Sequence, residues 1–338
     1  MAASRAANPI RMRWLLLATM ALWGLNLPVM KLLLPVFGTL GTPVLRMLAA
    51  CVLLSLVAWW RHRAWRRSES TPTLTSLAAP HGGANRLGAT RRRLSLRQWS
   101  ALVACGAVMI YLNQVLLMEG MQRTSATHAA LIMALNPLMA SLLAAGLLGV
   151  PLTRQRLSGV ALGFGGVALV ILKSGQAAAA STVLGDALVI AAILAWVVGG
   201  VMVQRLADPT RGSIDSDTVS WAVNVVGLAM LVLHLAWVGG PLIESPAAVS
   251  GGMVLLLVLS GVLSTAVGAL VWNRALATLG VAHVSLYVYW VPIFGVAFSV
   301  LLLGEPLTVW HVIGLVAVLA GTWLGTRGAA RSTVPAGE

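Results

Sequence analysis

Long apolar runs alternate with short polar breaks along almost the whole chain. Ten runs stand out, at about 14–34, 41–60, 99–118, 125–148, 155–172, 183–204, 218–238, 253–273, 281–303 and 309–326. Each approaches the roughly 20 residues that a helix needs to cross a bilayer. A backbone in hydrocarbon has to satisfy its own hydrogen bonds, so each run is predicted to be an α-helix. They are numbered here as spans 1 to 10. Arg11 and Arg13 ahead of Trp14-Leu15-Leu16-Leu17 give the first run the look of a secretion signal. Asn26, Pro28 and Lys31 then follow in place of a small-residue cleavage site, so it reads as a retained span.

The polar and helix-breaking positions repeat. His128, Leu131, Pro137, Gly149, Pro151-Leu152-Thr153, Gly159 and Gly166 return as His283, Leu286, Pro292, Gly304, Pro306-Leu307-Thr308, Gly314 and Gly321, each 155 positions later. A weaker match at a separation of 173 sets Ala21-Leu22-Trp23 against Leu194-Ala195-Trp196, and Lys31 against Gln204. The chain is an internal duplication, with one repeat over 14–172 and the other over 183–326. Five spans per repeat is an odd number, so the halves insert upside down relative to each other. The expected architecture is an all-α membrane protein of ten helices in two inverted five-helix repeats.

Composition agrees, with 59% hydrophobic and 9% charged residues and a mean hydropathy of +0.89. The basic residues fix the orientation. Nineteen fall on one side: Arg5, Arg11 and Arg13, nine between Arg61 and Arg97, then Arg154, Arg156, Arg205, Arg211, Arg274, Arg327 and Arg331. Only Lys31, Arg123 and Lys173 fall on the other, and Arg46 lies within span 2. Both tails, 1–13 and 327–338, and the basic 61–97 insert are therefore expected in the cytoplasm, with the protein in the inner membrane. Loop placement of the arginines argues against nucleic acid, and the lipid bilayer is the implied partner. The insert serves as a topology anchor, or as a contact for anionic lipid. Cys51 and Cys105 lie inside apolar runs and read as core residues.

At this point the chain resembles the EamA family of the drug/metabolite transporter superfamily. The resemblance rests on the ten spans in two halves, Trp23-Gly24 in span 1, Arg46 in span 2, and the Gly304-Glu305-Pro306-Leu307-Thr308 turn before span 10. It departs at Val150, which stands where the family's first turn usually carries Glu. The resemblance implies a transporter, often an exporter, of small metabolites, amino acids or drugs, with a central pathway between spans 3, 4, 8 and 9. It implies no cofactor.

Polar side chains in hydrocarbon are usually turned toward protein or a water-filled path. Trp23, Asn113, Gln114, Trp272, Asn273, Tyr287 and Trp290 are the candidates to line the pathway. His283, Tyr287 and Trp290 recur at i, i+4 and i+7 in span 9, which is one helical face, suited to stacking on an organic cargo or to core packing. Asn26 and Asn136 join the same polar set, while Asn224 and His234 read as structural. Pro137 and Pro292 remove backbone donors at matched places and are candidate hinges. Glu119 and Arg274, again 155 apart, are candidate gate residues with His128 and His283. Arg46 is within reach of Glu119, and Glu119 or His128 would bind a coupling proton; the alternative is a plain Glu119–Arg123 surface pair. Gly159 and Gly163, like Gly321 and Gly325, form small-residue faces that serve helix packing or a homodimer.

An enzyme is disfavoured: there is no H-E-x-x-H, G-x-S-x-G or C-x-x-C, and only Asp215 and Asp217 cluster among nine acidic residues. No metal site is implied. A channel or a lipid-scrambling protein shares the composition and remains the alternative to a secondary transporter. The topology gives a direct test. Reporters fused after Gly38 or within 239–252 should be extracytoplasmic, and one within 70–90 cytoplasmic; Gly149 and Gly304 on the same side would contradict inversion.

Overall fold

The computed structural model describes residues 9–69, 95–148, 153–173, 180–206, 214, 216–279, 284 and 287–331. These residues form helices and their connections, and seven helices are long and apolar enough to cross a membrane. The first, Ile10–Val57, holds two arms; counting both, and adding the shorter apolar helices Trp290–Leu303 and Val309–Gly325, gives the ten spans.

Spans 1 and 2 form a hairpin within Pro9–Glu69, bent at Gly38 with φ 68° and ψ 179°. That backbone region favours glycine. A Cβ there would also stand 2.6 Å from the Glu244 carboxylate of the loop between spans 7 and 8. The fold-back returns Arg46 to Met30, sixteen positions earlier. Span 3 begins with a capping box at Ser95 and Gln98 and runs over Leu96–Arg123, passing through a π-helical stretch at Ala107–Leu112. Span 8 comprises Gly251–Leu259, a second π-helical stretch at Ser260–Val267, and Gly268–Leu279. Shifting the first stretch by 155 gives 262–267, so the two repeats carry the same distortion in the same place.

The matched prolines break their helices. Span 4 divides into Ala126–Met133 and Asn136–Leu148, with a turn at Ala134 and Leu135 ahead of Pro137. Thr322 of span 10 donates to the Ala134 carbonyl at 3.2 Å, so the break is covered by the other repeat. Span 9 turns at Val288 and Tyr289 before Trp290–Leu303, which contains Pro292. This corrects the expectation of one continuous aromatic face, because the break separates Tyr287 from Trp290.

Spans 5 (Arg154–Lys173) and 10 (Val309–Arg331) pack glycine against glycine. A Cβ added at Gly159 would lie 2.4 Å from the Gly325 nitrogen, and one at Gly321 2.5 Å from the Gly163 nitrogen. These faces are occupied within one chain and are not free for a second copy, which corrects the homodimer use of the motif. Span 6 (Ala180–Leu206) lies on span 3, with Gly120 against Val189 and Gly199 against Met109. Span 1 lies likewise on span 8, with Trp23 against Gly268. Gly159→Ala should therefore lower stability by about 1–3 kcal/mol through overpacking. Gly165→Ala, where nothing lies within 4 Å, should not lower it. Thermal unfolding in detergent distinguishes them, and equal midpoints would contradict this packing.

Candidate transport site

Arg46 in span 2 is 5% exposed and reaches into the centre of the bundle. Its Nε donates to Ser260 Oγ at 2.8 Å, one terminal nitrogen to Asn26 Oδ1 at 2.7 Å, and the other to Met30 Sδ at 2.8 Å. Ser260 stands nine residues from Gly251, so the guanidinium lies roughly 14 Å along span 8 from the Gly251 end, about half-way through the 22-residue span. Four residues further on, the Ser264 carbonyl accepts from Trp23 Nε1 at 2.8 Å. Trp23 lies 5.5 Å from Trp272, centroid to centroid. With Tyr287, Val291 and Phe294 these rings pack around Met12, Leu16, Met20, Ala275 and Val284, toward the end of the bundle where span 1 begins.

Asn113 and Gln114 form a directed relay beside the span 3 distortion. The Ala192 carbonyl of span 6 can only accept, so it fixes the Asn113 amide, whose Nδ2 donates to it at 2.8 Å. Asn113 Oδ1 then accepts from Gln114 Nε2 at 3.1 Å. Gln114 Oε1 is left buried without a partner among the described residues.

At the outer end a polar cluster ties the repeats together. Glu305, in the turn before span 10, accepts from the Ala126 and Thr127 amides, each at 2.8 Å, and so caps the N-terminus of span 4. A carboxylate there satisfies donors that the helix cannot and complements its dipole. Asp186 of span 6, 1% exposed, accepts from Thr124 Oγ1 at 2.5 Å and lies 3.1 Å from His128 Nδ1. The His311 ring of span 10 is 5.7 Å from that of His128, and its Nδ1 accepts from the Thr308 amide at 3.0 Å. Lys31 donates to the Met121 and Thr124 carbonyls that end span 3.

The sequence-derived site residues thus fall into separate groups. Trp23, Trp272 and Tyr287 share the inner aromatic cluster, Asn113 and Gln114 the relay, and His128 the outer closure. Trp290 is 45% exposed and packs on Phe294 with centroids 5.8 Å apart. Arg274 is exposed. His283, the 149–152 turn, residues 70–94 of the insert and the Asn273 side chain lie outside the described residues. The expected Arg46–Glu119 pair is not formed: Arg46 bonds within the bundle, while Glu119 pairs with Arg123 at 2.5 Å. His234, read as structural, meets Tyr111 at 3.2 Å and lines an outer cavity of about 270 Å³ with Glu119 and Glu244. Asp186, His311 and the capping role of Glu305 were missed. Asp186 did carry a signal, as the one acidic residue inside an apolar span.

Known proteins place this architecture. The EamA-like transporter family matches residues 84–172 and 183–327, which together make up more than half of the chain. The chain belongs to the EamA-like transporter family. It is 26% identical over 314 residues to a probable terminal-alkyne amino-acid exporter of Streptantibioticus cattleyicolor, covering 93% of each chain. It is 29% identical over 224 residues to an uncharacterized transporter of Bacillus subtilis, covering 65% of this chain and 70% of that one. A probable amino-acid metabolite efflux pump of Salmonella typhimurium is 30% identical over 183 residues, or 52% of this chain and 59% of its own. A crystal structure at TM-score 0.55 and 15% identity, matched over 96% of this chain and 100% of its own, shares the fold. This EamA-like protein is a multi-pass membrane transporter of small molecules.

The outer closure gives a graded prediction. Asp186→Ala removes the acceptor of the buried Thr124 hydroxyl, and should cost about 1–3 kcal/mol. Asp186→Asn keeps an acceptor and should cost less. Thermal unfolding of both purified variants checks the order, and unchanged midpoints in both would contradict it.

Proposed function

We propose that this transporter exports small amino-acid-like or drug-like metabolites across the cytoplasmic membrane, with both termini inside, by alternating access between its two repeats. The observation that carries this reading is the outer closure. Each of its main contacts joins the first repeat to the second: Glu305 to the span 4 amides, and Asp186 to Thr124 and His128. Separating the repeats at that end opens the outer mouth. The span 4 and span 9 breaks beside Pro137 and Pro292 give each half a place to bend. Export of amino-acid-like cargo is drawn from what its relatives are named for. A coupling proton would bind at Glu119 or at His128, whose Nδ1 lies 3.1 Å from the Asp186 carboxylate.

Metabolite profiling tests the function. Medium from cells carrying the wild-type chain should accumulate specific small metabolites, and proteoliposomes should take them up saturably. Glu305→Ala should lower that export at least about tenfold, equivalent to ~1.4 kcal/mol in the barrier, while the protein stays inserted. Non-saturable ion flux or lipid movement in the same vesicles would contradict a transporter of this type.

A further inference from the structure

We infer that Arg46 is a binding site for the carboxylate of the cargo, and that the cargo is a small organic acid or amino acid with an apolar side chain. The inference rests on the transporter reading above and adds the chemical group that is recognised and the residue that recognises it.

The argument begins with charge. A guanidinium is always protonated and carries five N–H donors in a fixed fork. Arg46 is 5% exposed, and its partners are an amide oxygen, a hydroxyl and a thioether, all of them neutral. Those three bonds leave two N–H groups of the fork without a partner among the described residues. Neutral acceptors replace lost water hydrogen bonds but do not balance a buried charge, which is costly at membrane depth.

Among the described residues no carboxylate bonds to Arg46. Of the nine acidic residues in the sequence, Glu69, Asp208, Asp215, Asp217 and Glu338 fall in polar segments outside the apolar runs. Glu244 lies in the outer loop, Glu119 is held by Arg123, and Glu305 caps span 4. Asp186, the remaining one, is taken by Thr124 and His128. A merely structural tie among spans 1, 2 and 8 needs hydrogen bonds, which an amide provides without the charge. An anion arriving with the cargo is what the charge fits, since guanidinium binds carboxylate through paired, charge-assisted bonds.

Position agrees with this role. The guanidinium lies near mid-bilayer, where transporters of two inverted repeats hold their cargo. It is anchored at Ser260, the first residue of the span 8 π-helical stretch, and such distortions often mark functional sites. One helical turn toward the cytoplasm, Trp23 and Trp272 stand half-buried, 5.5 Å apart. An acid approaching from inside would meet aromatic walls suited to an apolar side chain and then the cation.

The test uses the full-length protein purified in lipid nanodiscs and three probes matched in shape: L-phenylalanine, 3-phenylpropanoate and L-phenylalaninamide. Both carboxylates, up to about 10 mM, should raise the midpoint of thermal unfolding, as expected for millimolar or tighter binding. The amide should not. Arg46→Gln should weaken carboxylate binding at least about tenfold, or ~1.4 kcal/mol. Arg46→Lys should retain part of it, a rescue that a purely structural role would not produce. Equal shifts by acid and amide, no shift by either acid, or an Arg46→Gln variant that keeps the shift would each overturn the inference. If neither variant folds, the acid–amide comparison on the wild-type chain decides. Export by wild-type cells is scored separately, so failure of the transporter reading shows as unchanged medium while the carboxylate shift stands or falls independently.

Discussion

A backbone inside a bilayer cannot leave donors or acceptors open, and this chain opens several. Pro137 frees carbonyls in span 4, the π-helical stretches disturb spans 3 and 8, and the N-terminus of span 4 presents bare amides. Side chains from the opposite repeat close them. Thr322 covers the Ala134 carbonyl, Trp23 the Ser264 carbonyl, and Glu305 the Ala126 and Thr127 amides, while Asn113 adds a bond to the Ala192 carbonyl of span 6. The repeats are therefore joined by cross-repeat hydrogen bonds as well as by apolar packing. Lipid tails are as apolar as leucine, so packing by itself gives little preference for one arrangement of the helices over another.

This arrangement also makes the molecule two-sided. The 155-residue counterpart of Glu305 is Val150, which has no carboxylate to cap the start of span 9. Asp186 adds a second carboxylate at the outer end, within reach of His128, with His311 beside that ring. The inner half is lined instead by aromatic rings around methionine and leucine. Polar contacts thus gather at one end of the bundle, and an aromatic, apolar cluster fills the other.

Much of this was legible in the sequence, for a physical reason. Span length, the inside excess of arginine and the 155-residue register are properties of the chain itself, and each is forced by the bilayer. The matched breaks at Pro137 and Pro292 were equally visible, because proline removes a donor wherever it stands. The π-helical stretches were not, since Ala107–Leu112 and Ser260–Val267 share no residue type that marks the distortion. The partners of buried charges were also hidden. Arg46 was expected near Glu119 by depth alone, but depth does not say which way a helix is turned, and the side chain faces Asn26 and Ser260. Asp186 meets His128 across 58 positions, a contact that only the packing of span 6 on span 4 creates.

The central claim is that cross-repeat polar contacts hold the outer mouth shut. Distance measurement by pulsed electron resonance tests it most directly, with spin labels at Gln122 and Val309, both exposed at the outer end, after replacing Cys51 and Cys105 with alanine. The wild-type chain in nanodiscs should give one short population. Glu305→Ala and Asp186→Ala should each add a longer one as the repeats separate. A single, unchanged distance in both variants would contradict the account.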